Sequence, residues 1–196
     1  MKDEAFLSEV GVSAGQLAND IFAVVDTACS KILVGTNTFE KIRKFLRDNH
    51  QMDARVYAAN HVFKGIGGRS YSKRLALIPI GIGGRFGILR ACVLGGNEAA
   101  DRSPLLLSLR VLRGLKAQID CDNSRMTLET LGVTVPLTIR DSGHLLLNVY
   151  EYSSDKKKRC LITPWPFYAP DCQAGTWRSS GLLREHACGR WLCKRV

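Results

Sequence analysis

An aspartate directly follows an apolar run near the start of the chain. Residues 22–25 read FAVV, and Asp26 is followed by the small residues TACS at positions 27–30. An ionised carboxylate behind a buried strand costs free energy unless hydrogen bonds compensate for the lost water. Small residues let backbone N–H groups come close enough to supply those bonds. The pattern therefore predicts a buried strand over residues 21–25 that presents Asp26, and the structural alternative is an aspartate that only caps a tight turn.

A helix and a series of short strands are predicted after this loop. Asn37 and Glu40 have the spacing of a capping box, and apolar residues at helical spacing follow, so a helix is expected over residues 37–48. A second, short helix is expected over residues 109–116. Between residues 57 and 149, short apolar runs alternate with Gly-containing turns, which is typical of an all-β barrel or sandwich. The expected fold class is therefore all-β with one or two short helices.

Proline and glycine positions divide the β region further. Residues 75–82 form an apolar run that contains Pro79, which predicts an edge or bent strand because proline cannot donate a backbone hydrogen bond. Gly-Gly at residues 83–84 is expected to turn the chain into the next strand. A second turn is expected at residues 122–123, between two short strands.

The loop Asp26-Thr27-Ala28 resembles the Asp-Thr/Ser-Gly loop of the retropepsin family, the aspartic proteases of retroviruses and retrotransposons. The family continues with a Gly-rich β-hairpin flap, a pair of strands, and an apolar triplet that runs under the loop and leads into a short helix. The same order holds here over about residues 15–135. The residues that match the flap are Gly65, Ile66, Gly67 and Gly68.

The resemblance implies a retropepsin-like half-barrel with Asp26, Thr27 and Ala28 as its catalytic residues. One chain supplies one Asp26, so a homodimer is expected to bring two carboxylates together around a shared proton. The pair would activate a water against a peptide bond of a polypeptide, such as a retroelement polyprotein, without a metal or another cofactor. Thr27 would brace the pair, and Ala28 would offer its N–H to the carboxylate. Two positions depart from the family pattern, because Ala28 and Ser108 stand where glycine is usual.

The end of the chain has a different character. Residues 1–150 are expected to form the protease domain, and residues 151–196 a basic tail with Cys and Trp but no periodicity. Nine Lys and Arg stand against four Asp and Glu in this tail, and the whole chain has a net charge of +10, so nucleic acid is expected as a further partner. A solvated linker is the alternative. Two other functions stay open: an inactive retroelement-derived module for dimerisation or peptide binding, and a basic nucleic-acid-binding protein.

Cysteine usage and hydropathy limit the compartment and the chemistry. The seven cysteines are odd in number and irregular in spacing, which argues against a disulfide framework. No histidine is placed by the sequence to activate Cys29, so this residue is expected to pack as a small apolar side chain. The Cys and His residues of the tail match no compact zinc pattern, and no metal site is expected. The first residues do not resemble a signal peptide and no apolar run reaches membrane-spanning length, so a cytoplasmic or nuclear protein without membrane association is expected.

Overall fold

A computed structural model describes residues 22–64 and 69–154 of the chain. These residues form ten strands and three α-helices. The strands are β1 (Phe22–Asp26), β2 (Leu33–Gly35), β3 (Arg55–Lys64), β4 (Arg69–Gly95), β5 (Leu105–Ser108), β6 (Ala117–Asp120), β7 (Arg125–Leu128), β8 (Val133–Ile139), β9 (Leu145–Asn148) and β10 (Tyr150–Tyr152). The helices are α1 (Thr36–His50), α2 (Glu98–Asp101) and α3 (Leu109–Gly114), and a single 3-10 turn spans Glu129–Leu131.

All ten strands belong to one mixed sheet. Its order is β10-β4-β2-β5-β1-β9-β8-β7-β6, and β3 pairs with β4 beside this path. The strand β1 lies between β5, with which it is parallel, and β9, with which it is antiparallel. The prediction of a mostly β chain with few helices is therefore confirmed, and the strands are arranged in an open mixed sheet.

Both faces of the central strands are buried. Along β1, Ala23 packs into the larger hydrophobic cluster, and the next residue, Val24, packs into a second cluster on the opposite face. In β5, Leu105 and Leu107 point to the first cluster and Leu106 to the second. Alternate residues of a strand face opposite sides of a sheet, so a strand covered on both sides needs a continuous apolar run. Each buried Val or Leu side chain contributes roughly 1.5–3 kcal/mol, which anchors β1 and β5 at the centre of the fold.

The helix α1 begins one residue before the predicted start. Its N-cap is Gly35, in extended conformation, and not Asn37, which lies within the first turn, so the predicted capping box is wrong. The reason is tertiary: the Gly35 N–H donates to the carbonyl of Ser103 over 2.9 Å, and the Thr36 hydroxyl donates to the carbonyl of Leu94 over 2.7 Å. These bonds fix where the chain leaves β2. The predicted apolar face is confirmed, since the buried residues of α1 are Phe39, Ile42 and Leu46.

The strand β4 is longer than the sequence predicted. It continues through Pro79, Gly83 and Gly84 without reversing direction, so the turn predicted at residues 83–84 is wrong. Both glycines have a positive φ, 53° and 75°, which bends the strand within the sheet, and the pairing of β10 with β4 shifts register there. The carbonyl of Pro79 accepts a hydrogen bond from the Tyr152 hydroxyl over 2.9 Å. A neighbouring chain segment thus supports the bend.

The remaining predictions along the chain have mixed outcomes. The strand pair that turns at residues 122–123 is confirmed by β6 and β7. The short helix expected over residues 109–116 is confirmed as α3, which ends two residues earlier, at Gly114. The sheet includes β10, which extends past residue 150, and residues 155–196 lie outside the described part, so the predicted domain boundary stays a prediction. No helix within the described ranges has the length and apolar character to span a membrane.

Candidate active site

The centre of the sheet positions Asp26. This residue ends β1, and its partner in the parallel register is Ser108, the last residue of β5. The two preceding partners are Val24 with Leu106 and Val25 with Leu107. The carboxylate is half-buried, at the point where this doubly covered strand leaves the core. The strand predicted from the sequence therefore exists, one residue further along, and presents Asp26 as expected.

The turn after β1 holds the carboxylate with backbone groups. The Asp26 Oδ1 atom accepts hydrogen bonds from the N–H of Ala28 over 2.9 Å and from the N–H of Cys29 over 3.1 Å. The Cys29 carbonyl in turn accepts from the N–H of Leu109, at the start of α3, over 3.1 Å. Hydrogen bonds to an ionised group contribute about 1.5–3 kcal/mol each. The small-residue turn therefore offsets the desolvation of Asp26 and ties the loop to the segment that follows β5.

The tip of this loop faces outward. Thr27 and Ala28 are exposed, whereas Ser108, across from Asp26, is fully buried. The exposed position of Ala28 leaves room for the methyl group that the usual glycine lacks. The buried Ser108 precedes α3 in extended conformation, with φ −70° and ψ 154°, which any L-residue adopts without strain. Both departures from the retropepsin pattern are therefore sterically accommodated.

Cys29 is held in a state that opposes nucleophilic chemistry. Burial raises the pKa of its thiol to about 11, the negative charge of Asp26 adds to the increase, and a backbone hydrogen bond of Lys31 lowers it. The thiol itself donates a hydrogen bond to the Lys31 carbonyl over 2.8 Å. Because the thiolate is the reactive form of cysteine, this thiol is protonated and unreactive near neutral pH. The side chain packs against the second hydrophobic cluster, as the sequence predicted.

A long hairpin lies against the loop. Strands β3 and β4 pair from Arg55 with Leu77 to Lys64 with Arg69, with one register shift between Ala58 and His61. The predicted flap residues Gly65, Ile66, Gly67 and Gly68 lie outside the described residues, between the ends of these two strands. Below them, Phe63 packs against the same hydrophobic cluster as Cys29, and the Lys31 Nζ atom lies 5.8 Å from the centroid of the Phe63 ring. The stem of the hairpin is thus adjacent to the loop that carries Asp26.

Sequence reasoning missed a group of basic side chains beside this loop. Lys31 follows the loop, His61 is in β3, and Arg90 is in β4. Burial lowers the pKa of His61, and the positive charges of Lys31 and Arg90 lower it further. The three residues are far apart in the sequence. The contact between Lys31 and Phe63 brings β3 to the loop, and the pairing of β2 with β4 at Leu33 and Cys92 brings the Arg90 segment beside it.

The chain also contains one Asp-Ser-Gly sequence, which lies in a different setting from the Asp26 loop. Asp141, Ser142 and Gly143 form the turn between β8 and β9, Asp141 is exposed, and Gly143 has a φ of 79°. The Ser142 hydroxyl lies 2.7 Å from the Nδ1 atom of His144. This turn connects antiparallel strands, whereas Asp26 ends a strand with a parallel neighbour, so the two aspartates are not structural equivalents.

No group of three or more His, Cys, Asp and Glu side chains that could hold a metal ion occurs within residues 22–64 and 69–154. The Cys and His residues of the tail that were considered as zinc ligands all lie beyond residue 154, outside the described part. Comparison of the chain with models of known protein families and with curated proteins finds no match.

Proposed function

We propose that this chain is a homodimeric aspartic endopeptidase of the retropepsin type, which cleaves a polypeptide such as a retroelement polyprotein. The observation that carries the proposal is the setting of Asp26. Its carboxylate ends a doubly covered strand, accepts two backbone hydrogen bonds from a turn of small residues, and stands level with Ser108 of the parallel strand β5. The hairpin of β3 and β4 approaches the same loop.

In the proposed mechanism two chains place their Asp26 carboxylates side by side. Two like charges at that separation share one proton, so one carboxylate is ionised and the other is protonated. The ionised carboxylate takes a proton from a water, which attacks the carbonyl carbon of the peptide bond, while the protonated one donates a hydrogen bond to the carbonyl oxygen. The C–N bond then breaks as the amine nitrogen takes up the proton that the water gave to the carboxylate. The N–H groups of Ala28 and Cys29 hold the carboxylate in position without taking part in proton transfer.

The tip of the loop is accessible to a partner chain. Thr27 and Ala28 are exposed at its tip, next to the half-buried Asp26. A second copy that packs on this tip would bring the two carboxylates together and would cover both residues. In this arrangement Thr27 braces the paired loops by hydrogen bonds across the dimer, in the role that the resemblance assigns to it.

The test of this function compares Asp26 with Asp141, which lie in similar three-residue sequences. We expect Asp26→Asn to reduce peptide cleavage about 1,000-fold, because the amide cannot exchange the proton that general acid–base catalysis requires. Cleavage is measured on an internally quenched peptide library at several pH values, and the far-UV circular dichroism of both variants checks that they fold. The matched control is Asp141→Asn, which changes an exposed aspartate of the β8–β9 turn and should leave cleavage unchanged.

Two results would contradict the proposal. Equal cleavage by the wild-type chain and Asp26→Asn would show that Asp26 takes no part in the reaction. Absence of cleavage by the wild type, combined with Asp26-dependent binding of a peptide that contains a statine residue, would instead identify the inactive peptide-binding module, because statine places a hydroxyl between the two carboxylates.

A further inference from the structure

Two basic side chains lie near one aromatic ring beside the candidate active site, and a third lies on the neighbouring part of β4. The Lys31 Nζ atom lies 5.8 Å from the centroid of the Phe63 ring, and the His61 ring lies 6.3 Å from the same centroid. Arg90 precedes Cys92 by two positions in β4 and so faces the same side of the sheet. The Cys92 N–H donates to the Ile32 carbonyl over 2.9 Å, which places this part of β4 next to the segment that contains Lys31.

The electrostatics of the group agree with this geometry. The charges of Lys31 and Arg90 both act on His61, and both also act on the thiol of Cys92. Burial lowers the pKa of His61 first, and the two cations lower it further, so the positive charge of Lys31 and Arg90 reaches this ring and opposes its protonation. A bound anion would relieve that repulsion.

A buried hydroxyl lies on the same side of the hairpin. Ser70 of β4 is directly opposite Phe63 of β3 in the antiparallel register, so the two side chains share a face. The Ser70 side chain is only 2% exposed, and its Oγ atom has no hydrogen-bond partner within the part of the chain that the structure describes. A buried hydroxyl without a partner costs free energy, which a ligand that accepts its hydrogen bond would recover.

We propose that Lys31, His61 and Arg90, with the Ser70 hydroxyl, form a subsite that binds an acidic side chain of the peptide substrate. This basic subsite lies next to the Asp26 loop, since the Cys29 N–H donates to the Asp26 carboxylate and the Cys29 thiol donates to the Lys31 carbonyl. The inference rests on the proposed protease function and narrows its substrate class to peptides with Asp or Glu close to the cleaved bond. Charge-assisted hydrogen bonds of this kind are the stronger ones in proteins and would supply specificity.

The binding experiment uses the full-length Asp26→Asn chain, so that it gives a result whether or not the wild type cleaves. The probes are fluorescein-labelled decapeptide pools in which one position is fixed as Glu or as Gln and the other positions are randomised over neutral residues. We expect the Glu pool with the correctly placed residue to bind about tenfold more tightly than its Gln counterpart, the effect of one hydrogen bond between charged groups. Adding Lys31→Glu should abolish this preference.

The control makes the same charge change on the other face of the hairpin. Lys73 is exposed and follows Ser72, which pairs with His61, so its side chain points away from the basic subsite. Adding Lys73→Glu should leave the preference for the Glu pool unchanged. A second series measures cleavage of the same pools by the wild-type chain, where Lys31→Glu should lower kcat/KM for the Glu pool about tenfold.

The outcomes separate the subsite from the protease function. A Glu preference in binding that Lys31→Glu removes, without any cleavage by the wild type, supports the subsite and contradicts the protease. Cleavage that depends on Asp26 but shows no preference for Glu overturns the subsite alone. Equal binding of the Glu and Gln pools also overturns the subsite. Displacement of the Glu pool by single-stranded RNA, if it depends on Lys31, overturns the subsite as well, because it assigns the three basic residues to nucleic-acid binding.

Discussion

Gly35 occupies a position where no side chain has room. It lies between β2 and α1, and a Cβ atom added there would lie 2.4 Å from the Asp101 carbonyl oxygen and 2.5 Å from that of Ala100. Both atoms belong to the backbone, so neither can move aside as a flexible side chain would. The same backbone approach sets the N-terminus of α1, which explains why the helix begins at Thr36 and not at the predicted cap.

We predict that Gly35→Ala lowers the free energy of unfolding by about 2–3 kcal/mol, because the methyl group overpacks a rigid site. Urea unfolding followed by far-UV circular dichroism measures the loss. The matched control is Gly114→Ala at the end of α3, where an added Cβ meets nothing within 4 Å. This variant should be neutral or more stable by about 0.5–1 kcal/mol. If Gly35→Ala loses no more free energy of unfolding than the control, the backbone of the α2 segment moves to make room for the methyl group.

At the candidate site, the sequence predicted contacts between neighbouring residues but not contacts between distant segments. Asp26 and the two N–H donors that hold it lie within four consecutive residues, so the pattern of an apolar run and a small-residue turn was enough to predict a carboxylate held by backbone N–H groups. The resemblance named Ala28 as a donor, and the Cys29 donor was not predicted. Lys31, His61 and Arg90 come together through strand pairing between distant segments. Composition revealed an excess of positive charge, but only the pairing of β4 with β2 and the contact between Lys31 and Phe63 show where part of it is concentrated.

At the scale of elements, one ion pair joins α1 to the start of the hairpin. The Arg43 guanidinium donates from Nε to Asp53 Oδ1 over 3.0 Å and from Nη2 to Oδ2 over 2.9 Å, and the Ala54 N–H donates to Oδ1 over 2.8 Å. Burial tends to raise the pKa of Asp53, but the hydrogen bonds and charge of Arg43 outweigh it and hold this pKa below its ordinary value of 3.8. The pair therefore fixes the helix against the segment that leads into β3.

We predict that Asp53→Asn lowers the free energy of unfolding at pH 6 by about 1 kcal/mol, a modest value because the Asp53 side chain is 41% exposed and solvent screens the pair. A carboxyl with a depressed pKa in the folded state stabilises the fold fully above its ordinary pKa and loses that contribution as the pH falls through the depressed value. The difference between wild type and variant should therefore shrink as the pH falls below 3.8. Urea unfolding over a pH series measures it.

The control for the ion pair is Asp122→Asn in the exposed turn between β6 and β7. This change should leave the free energy of unfolding within about 0.5 kcal/mol of the wild type, as is usual for surface positions. If the difference in free energy of unfolding between wild type and Asp53→Asn stays the same at low pH, the substitution acts through packing and not through the charge of the ion pair.

Elements were predictable where sequence pattern and tertiary context agree. The strand β8 lies within the region of short strands predicted between residues 57 and 149, because alternating burial and a following turn define it locally. The double glycine at residues 83–84 misled the prediction, because a glycine with positive φ serves a bend within a strand as well as a chain reversal. The pairing of β4 with β10 decides between a bend and a chain reversal, and this pairing joins segments that are far apart in the sequence.

For the whole molecule, the proposed chemistry requires two chains. Asp26 is the one aspartate of the described residues that ends a strand with a parallel neighbour in β5, and the Asp141 turn offers no second half-site. We predict that specific activity falls on dilution below the dimer dissociation constant, because the shared-proton pair exists only in the dimer. Wild-type chains mixed with an excess of Asp26→Asn chains should lose activity, since most wild-type subunits then sit in mixed dimers.

The measurement combines cleavage rates with sedimentation velocity over the same range of concentrations. An excess of the Asp141→Asn chain serves as control and should cause no loss. Activity per chain that stays constant down to concentrations at which sedimentation shows only monomer would refute the dimeric mechanism.

The order of strands in the sheet also dictates when the site is assembled. The strand β1 is synthesised well before its two neighbours in the sheet, β5 and β9. On the ribosome, β1 therefore has no neighbour to pair with until β5, which begins at Leu105, has emerged. Its second neighbour is missing until β9, which begins at Leu145, has followed. Translation thus delays formation of the carboxylate site until nearly all of the sheet has been made, and a truncated chain without β9 leaves one edge of β1 open to pairing with other polypeptides.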